Sequence, residues 1–226
     1  MKKKDIEYEL KQLKITYINK GFKRLILRLF DYFLKRFMFI GYTYKLDLDK
    51  MVYIPPGGGL TFQGMTIPDL DLISQNYKDE INEKLYQDLF EKLNNPKFNG
   101  FIVKKDGKIC NYCFIHYGTT YPILKNKYVD LECNGYLLND YVFKKYRGQK
   151  IQEYDIYNRL KILKKKNYKT ATGLIERYNY PSCASYEKFG FKKCVICYFF
   201  RFGKLMRSRD HFKIISRNDS KEELNL

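Results

Sequence analysis

The sequence contains no tryptophan, and no stretch of eighteen residues is both apolar and free of charge. The second absence excludes a transmembrane helix, which needs about 20 consecutive apolar residues. A secretory signal is not expected either, because Asp5, Glu7 and Glu9 stand where its apolar segment would be. We therefore expect a cytoplasmic protein. Its 226 residues and 45% hydrophobic content suit one domain with an extension.

Acidic residues are scarce relative to basic ones, since 43 Lys and Arg against 25 Asp and Glu give a net charge of +18. Such a charge suits a polyanionic partner such as nucleic acid, a membrane surface or a phosphate-rich ligand. Composition offers another explanation, because abundant Lys, Asn, Tyr, Ile and Phe are typical of AT-rich genomes. The basic residues are dispersed and form no long block, so we expect no nucleic-acid partner.

Two C-x-x-C pairs, Cys110/Cys113 and Cys194/Cys197, have a spacing typical of zinc sites. Both pairs lie in stretches rich in aromatic and β-branched residues, which predicts strands. In a regular strand, residues i and i+3 point to opposite faces, so the two thiolates of a pair would not share one metal ion. We expect buried, reduced cysteines and no bound metal.

The first 40 residues have a helical pattern, with apolar side chains on one face of 22–40 and basic side chains on others. This segment either lies on an anionic membrane surface or packs on the main domain with its basic face in water. Residues 41–48 alternate like a strand. The run from Pro55 to Gly59 then predicts a linker. The expected organisation is a basic helical extension with linker (1–58), a main domain (59–207) and a polar tail (208–226).

From Leu60 onward the pattern mixes strands and helices. Asp106-Gly107 predicts a tight hairpin turn. The expected elements are a strand over 60–66, helices from 68 and over 79–93, a hairpin of 101–104 with 108–117, a strand over 135–143, a helix over 151–166, a strand over 170–175, a helix over 181–189 and a strand over 193–202. This order predicts an α/β fold whose mixed sheet carries helices on both faces.

Two blocks of residues in the second half of the chain match known sequence motifs. The first block matches a V-x-P-x-Y-R-G-x-G-I-G pattern at Val142, Tyr146, Arg147, Gly148 and Ile151. The second matches an N-x-x-A/S-x-x-x-Y-E-K-x-G-F pattern at Asn179, Ser182, Tyr186, Glu187, Lys188, Gly190 and Phe191. With these blocks the chain resembles the GNAT superfamily of N-acetyltransferases over about residues 60–203. This resemblance implies the GNAT acyl-CoA acyltransferase fold, here preceded by an N-terminal helical extension.

The resemblance implies acetyl-CoA as acyl donor. Backbone amides at the start of a helix bind anions, so those of 148–152 are expected to hold the pyrophosphate. The strand edge near Val142 is expected to pair with the pantetheine arm. The implied cofactor-binding residues are Val142, Phe143, Arg147, Gly148, Gln149, Lys150, Ile151, Gln152, Asn179 and Ser182. Asn179 either contacts the pantetheine or caps its helix.

Two of these residues depart from the family pattern, since Lys150 replaces a glycine and Gln152 a glycine or alanine. Glycine serves where a backbone approaches a ligand closely or takes a positive φ. Either these two side chains point away from the bound anion, or the loop binds CoA weakly or not at all.

The second block implies the chemistry. In many GNAT members a tyrosine at the place of Tyr186 protonates the departing thiolate, after direct attack of the amine on the thioester. The alternative is that Tyr186 only packs its helix. For the general base the candidates are Asp130, Glu132 and Asp140. We favour Asp140, which regular alternation places on the face of Leu138 and Val142, although it could equally be a solvated acid. His116 is expected to be packed or at the surface.

The leading hypothesis is transfer of acetyl to a primary amine of a small metabolite. The basic helical extension resembles that of members linked to polysaccharide biosynthesis, which makes an amino sugar or nucleotide-linked amino sugar a candidate acceptor. Alternatives are a catalytically weak GNAT-like binding module, and an acyltransferase acting on a protein or RNA-associated substrate. The aromatic run Tyr198-Phe199-Phe200 belongs either to a homodimer interface or to the core.

Overall fold

The computed structural model describes residues 38–55, 58–117, 120–124, 127–130, 135–177, 179–200, 205–208 and 214–216. The chain forms two compact units. The smaller comprises Met1–Ile40 with Cys197–Arg207, and the larger comprises Gly41–Ile196 with Ser208–Leu226. The predicted helices of the first 37 residues, with most of the proposed membrane-contacting segment 22–40, lie outside the described residues.

Eleven strands and four α-helices are described. The strands are β1 (Met38–Asp47), β2 (Leu60–Gly64), β3 (Phe98–Lys105), β4 (Lys108–His116), β5 (Thr120–Leu124), β6 (Lys127–Asp130), β7 (Gly135–Val142), β8 (Thr170–Glu176), β9 (Lys192–Phe200), β10 (Leu205–Ser208) and β11 (Ile214–Ser216). The helices are α1 (Ile67–Asn76), α2 (Glu83–Asn94), α3 (Ile151–Lys165) and α4 (Tyr180–Lys188).

The larger unit is built on a mixed sheet in the order β9-β1-β8-β7-β4-β3-β2. β7 and β8 are parallel, joined through α3, and the pairs β1–β8, β7–β4, β4–β3 and β3–β2 are antiparallel. A second, three-stranded sheet has the order β11-β6-β5. The predicted mixed sheet is confirmed, whereas β5, β6 and the short strand β11 within the predicted polar tail were not expected.

Local sequence explains where most elements begin. Thr66 and Asp69 form a reciprocal capping box at α1, with Pro68 in the first turn. Asn82 caps α2 by accepting from the amide of Leu85 at 2.9 Å. This helix therefore begins at Glu83 and not at 79 as predicted, since the sequence pattern alone did not identify Asn82 as its cap. The Asp106-Gly107 turn between β3 and β4 has the two positive φ angles, 50° and 74°, that were expected.

Two layers of helices cover the sheet. Ile156, Leu160 and Leu163 of α3 pack with Tyr186 of α4 in one hydrophobic cluster. Residues of α1 and α2 form a second cluster with the opposite face, including Leu70, Ile73 and Leu89. The predicted arrangement of helices on both faces is confirmed, and α3 and α4 share the face on which the candidate site lies.

Strand β1 covers residues 41–47 of the predicted strand 41–48, whose last residue begins a short 3-10 turn, and it lies well inside the sheet. It pairs with β8 from Gly41 opposite Glu176 to Asp47 opposite Thr170. A segment expected in the extension thus contributes a strand beside β8. The predicted domain limits at 58 and 207 themselves stay predictions, as does the homodimer through Tyr198–Phe200, whose side chains lie outside the description. None of the helices in the described ranges has the length and apolarity needed to cross a membrane.

Candidate active site

Strand β7 contains a β-bulge at Asn139. Tyr112 of β4 pairs with Tyr141, but Phe114 pairs with Leu138, so two residues of β7 stand opposite one residue of β4. Asn139 adopts a left-handed φ of 54°, which asparagine tolerates better than most residues. The bulge shifts the alternation of the strand by one residue.

The shift corrects the predicted orientation of Asp140. Leu138 packs in the cluster formed with α1 and α2, whereas Asp140 contacts Arg159 of α3 and Tyr186 of α4. Leu138 and Asp140 therefore point to opposite faces, and the expectation of a shared face was wrong because it assumed regular alternation. Val142 packs against Ile151 of α3, on the same side as Asp140, as predicted.

β7 and β8 pair only where they begin. Their parallel pairing extends from Gly135 opposite Ala171 to Leu137 opposite Gly173. Within the described residues, the part of β7 after Leu137 has no strand pairing on its β8 side. The two strands thus diverge at the bulge, and the edge of β7 from Leu138 to Val142 is left without a strand partner on that side.

In the loop between β7 and α3, two residues have the positive φ angle that glycine adopts readily. Gly148 has a φ of 80°, and Lys150 has a φ of 58° with a ψ of 17°. Lys150 therefore takes the left-handed conformation of the glycine it replaces, at a cost of roughly 1–2 kcal/mol. Its side chain is exposed, so the loop keeps its turn although the glycine is absent.

The N-terminus of α3 has no side-chain cap. Its first turn leaves backbone N–H groups without intrahelical partners, and these groups carry the positive end of the helix dipole. Four basic residues precede it within seven positions: Lys144, Lys145, Arg147 and Lys150. Their side chains are exposed. The loop and helix together form a positively charged, donor-rich site for an anion.

Two of these basic side chains are oriented by aromatic rings. Lys145 Nζ lies 4.9 Å from the ring centroids of Tyr77 and Tyr146. Arg147 stacks over Tyr141 at 5.5 Å, and its Nε donates to the carbonyl of Val142 at 3.1 Å. The carbonyl of Val142, on the strand edge predicted to pair with the pantetheine arm, therefore already accepts a hydrogen bond from the loop.

The other predicted cofactor-binding residues differ in their accessibility. Gln149 accepts from Lys105 at 2.5 Å on the surface. Gln152 Nε2 donates to Ser182 Oγ at 2.9 Å and so bridges α3 and α4. Ile151 is buried in the core, which leaves only its backbone for a ligand.

Phe143 and Asn179 are engaged elsewhere. The Phe143 ring is fully buried and stacks on Tyr77 at 3.6 Å, and its amide donates to the carbonyl of Cys110. Asn179 caps α4 by accepting from the amide of Ser182 at 3.4 Å, so the capping alternative for Asn179 is confirmed.

The structure brings together the two predicted catalytic residues. The Tyr186 hydroxyl donates to Asp140 Oδ2 at 3.0 Å. Tyr186 is 2% exposed, and its ring lies against Gly173 of β8, where a Cβ atom would be 2.7 Å from Cε1. The hydroxyl therefore lies between β7 and β8, close to where they diverge. Burial, together with the charge of Asp140, raises the pKa of Tyr186 well above its usual value.

Asp140 belongs to a buried charged cluster centred on Arg159 of α3. Arg159 is fully buried. Its Nη2 lies 2.6 Å from Asp140 Oδ1, its Nε lies 2.6 Å from Asp155 Oδ1, and its Nη1 donates to the Phe114 carbonyl at 3.1 Å. Asn111 Nδ2 donates to the other oxygen of Asp155 at 3.2 Å. Burial opposes the charge of Arg159, but the two carboxylates outweigh it and raise its pKa.

No protein-family model and no curated protein sequence matches the chain. Solved structures do match. A Staphylococcus epidermidis protein described as functionally unknown aligns with TM-score 0.52 and 9% identity over 80% of this chain and 67% of its own. A Drosophila protein aligns with TM-score 0.51 and 12% identity over 80% of this chain and 57% of its own. The chain therefore spans little more than half of the Drosophila protein.

The order of elements agrees with the expectation drawn from the motifs: a bulged strand, a basic loop, α3, a diverging parallel strand and α4. The chain shares its fold with the Staphylococcus epidermidis and Drosophila proteins, and at 9% and 12% identity the likeness concerns the fold alone. AAC(6')-Iy, solved with the bisubstrate analogue CoA-S-monomethyl-acetylneamine, aligns at TM-score 0.48 with 14% identity over 67% of this chain and 98% of its own.

Beside the loop between β7 and α3, Glu153 lies in the first turn of α3. It accepts from Tyr53 at 2.6 Å and forms an ion pair with Lys188 of α4. Burial would raise the pKa of Glu153, but these two partners lower it. Lys188 thus compensates a carboxylate that would otherwise repel an anion at the same helix end.

The side chains of the first C-x-x-C pair, Cys110 and Cys113, do not have the predicted orientation. A bulge leaves Cys110 unpaired between Ile109 and Asn111. Cys110 packs with Ile151, and Cys113 lies in the cluster of Leu160 and Leu163. Both therefore face α3, and the predicted opposite faces were wrong because of the bulge. Both thiols are free, as is exposed Cys194. Across the described ranges, no group of three or more His, Cys, Asp or Glu side chains could hold a metal ion.

Sequence reasoning missed Arg159, Asp155 and Asn111. A signal was present, because Asp155 and Arg159 are four residues apart and interleave with Ile156, Leu160 and Leu163 on one face of α3. His116, expected to be packed or exposed, is buried against Phe98. Of the other base candidates, Glu132 and the side chain of Asp130 lie outside the described residues.

Proposed function

We propose that the chain is an N-acetyltransferase that transfers acetyl from acetyl-CoA to the primary amine of a small cytoplasmic metabolite, such as an amino sugar or nucleotide-linked amino sugar. The observation that carries this proposal is the divergence of β7 from β8 beside an uncapped, basic helix N-terminus. The unpaired strand edge suits an amide-containing chain, and the helix N-terminus suits a pyrophosphate.

The residues of the loop suit the pyrophosphate part of acetyl-CoA. The amides from Gly148 to Gln152 lie at the positive end of α3; exposed Arg147 precedes them and exposed Lys150 lies among them. The left-handed backbone at Lys150 keeps the turn that glycine provides in the family pattern. We propose that Lys150 adds charge at the site and does not obstruct it.

Acetyl-CoA would supply the acyl group as a thioester. We propose that Tyr186 holds a proton at its Oη between β7 and β8, where it can be given to the departing sulfur. Asp140 was predicted as the base, but Arg159 and Tyr186 occupy its two oxygens. The main role that we propose for Asp140 is therefore to orient the Tyr186 hydroxyl.

The first experiment measures acetyl-CoA binding by titration calorimetry on the full chain. Lys150→Glu should weaken binding about 10-fold, equivalent to about 1.4 kcal/mol, because it places a negative charge at the anion site. The matched control is Lys165→Glu, the same charge change at the exposed C-terminal end of α3. The control lies about 20 Å further along the helix axis, beyond the screening length of about 8 Å, and should change affinity less than about twofold.

The second experiment follows release of free CoA with four amines: glucosamine, galactosamine, spermidine and a peptide with a free N-terminus. The proposal expects acetyl-CoA binding, with transfer fastest to an amino sugar. Binding without transfer to any amine would favour the GNAT-like binding module. Transfer only to the peptide would favour a protein substrate. Absence of binding at millimolar acetyl-CoA would refute the acetyltransferase assignment.

A further inference from the structure

Arg159 links three parts of the larger unit. Its Nη1 contacts the Phe114 carbonyl of β4, its Nη2 contacts Asp140 of β7, and its Nε contacts Asp155 one turn earlier on α3. The planar guanidinium is suited to hold several acceptors in fixed directions, which a lysine ammonium does not do. Arg159 and Asp155 are fully buried and the Asp140 side chain is only 10% exposed, so the arrangement has little room to move.

The contact with Asp140 lies at the bulge where β7 leaves β8. A bulged strand has no regular ladder to fix its side chains. Asp140 is held instead by Arg159 on one oxygen and by the Tyr186 hydroxyl on the other. Any displacement of the guanidinium would therefore move the carboxylate that orients the hydroxyl of Tyr186.

We infer that Arg159 is a positioning residue for the proposed acid, acting through Asp140 on the hydroxyl of Tyr186. The inference rests on the proposed function. In that reaction the amine nitrogen bonds to the acetyl carbon, the carbon–sulfur bond breaks, and its electron pair goes to sulfur. Sulfur takes the single proton of Tyr186 Oη, which turns from Asp140 Oδ2 toward sulfur as the negative charge develops there. The proton lost from nitrogen passes to water, and water returns a proton to Tyr186.

Asp155 supports the same arrangement through the Nε of Arg159. It is fully buried and accepts from Asn111 while paired with Arg159. Arg159 is thus held at Nε by Asp155 and at Nη2 by Asp140. Loss of the guanidinium would leave these carboxylates without their cation, and a buried charge without a partner is strongly destabilising.

The test compares kcat and KM of Arg159→Lys, Tyr186→Phe and the double variant, using acetyl-CoA and the fastest of the four amines named above. Arg159→Lys keeps the positive charge but cannot reach all three acceptors. Tyr186→Phe should lower kcat about 100-fold. Arg159→Lys should lower kcat about 10-fold through misplacement of the acid, with KM for acetyl-CoA changed less than about twofold. In the Tyr186→Phe background it should have no further effect on kcat.

Asp155→Asn is the second variant, in case Arg159→Lys does not fold. Its amide oxygen can still accept from Arg159, and Asn111 Oδ1, which has no hydrogen-bond partner among the described residues, can accept from the new amide after a flip. Asp155→Asn should lower kcat in the wild-type background and should have no effect on kcat in the Tyr186→Phe background. Leu160→Val is the control for loss of packing alone on α3 and should keep kcat.

Equal losses of kcat with Tyr or Phe at position 186 would show a general structural role and overturn the inference. So would an unchanged kcat in both Arg159→Lys and Asp155→Asn. A wild-type chain that binds acetyl-CoA without transferring acetyl would overturn the proposed function, and the positioning role with it. That outcome is distinguishable, because it is seen before any variant is compared.

Discussion

Gly173→Ala tests whether the position of Tyr186 matters. A Cβ at residue 173 would lie 2.7 Å from Tyr186 Cε1 and 3.1 Å from its hydroxyl oxygen. Carbon atoms in contact are normally 3.5–4.0 Å apart, so the ring must retreat by about 0.8 Å. The hydrogen bond from Tyr186 to Asp140, now 3.0 Å, would then exceed the useful range of about 3.2 Å.

The expected cost of Gly173→Ala in unfolding free energy is about 1–3 kcal/mol, the usual range for overpacking. If Tyr186 is the acid, kcat should also fall at least about 10-fold, because a misplaced acid loses much of its contribution. The KM for acetyl-CoA should change little, since the loop before α3 is not touched. Urea unfolding and steady-state kinetics on the same preparation measure both quantities.

The matched control is Gly135→Ala, on the strand paired with β8. There the added Cβ would meet Leu163 at 2.2 Å and would not meet Tyr186. It should destabilise the protein at least as much as Gly173→Ala but leave kcat near the wild-type value. If both variants lose stability and both retain kcat, the reasoning that places Tyr186 in the reaction is refuted.

Three further predictions concern the backbone, a buried histidine and a helix cap. Lys150→Gly should raise the unfolding free energy by about 0.5 kcal/mol, because relief of left-handed strain slightly exceeds the entropy cost of glycine, whereas Lys150→Val should lower it in the same urea titration. Burial lowers the pKa of His116 to about 4. The unfolded chain therefore binds a proton between about pH 6.5 and 4 that the folded chain does not, and stability falls as pH falls through this window by up to about 3 kcal/mol. His116→Gln should show a shallower fall, and equal slopes would contradict the assignment. Thr66→Ala removes the capping box of α1 and should cost about 1 kcal/mol at the urea midpoint; no change would mean that the cap is dispensable.

Local signals predicted the elements that matter most for the fold. The bounds of α3 were predicted within one residue, because its apolar periodicity begins directly after a glycine-containing loop. The hairpin of β3 and β4 followed from two adjacent residues, Asp106 and Gly107. In both cases the deciding information lies within a few positions of the chain, where propensity and turn chemistry act.

The bulges could not be predicted in the same way. The bulge at Asn139 exists because β4 pairs with β7 in a register that changes between Tyr112 and Phe114. That register depends on strands more than 20 residues apart in the sequence, so alternation within β7 alone gave the wrong face for Leu138. The bulge at Cys110 lies within the β3–β4 hairpin, and there too alternation along a single strand gave the wrong faces for Cys110 and Cys113.

The burial of the charged residues on α3 could not be predicted for a different reason. Asp155 and Arg159 have the spacing of an ordinary surface ion pair on a helix. Their burial depends on Asp140 and Phe114 lying opposite them, which only the tertiary arrangement determines. Periodicity identified the apolar stripe of α3 but not the charged residues that share it.

The bulge at Asn139 places one residue outside the alternation of β7. Tyr136 and Leu138 before it pack in the cluster formed with α1 and α2, as does Tyr141 after it, whereas Asp140 contacts Arg159 of α3. Deleting Asn139 itself would therefore leave a regular strand in which Asp140 keeps its present face. Deleting any earlier residue of β7 would instead exchange the faces of the residues between the deletion and Asn139. Within this strand, loss of the bulged residue should therefore be tolerated better than loss of any residue before it.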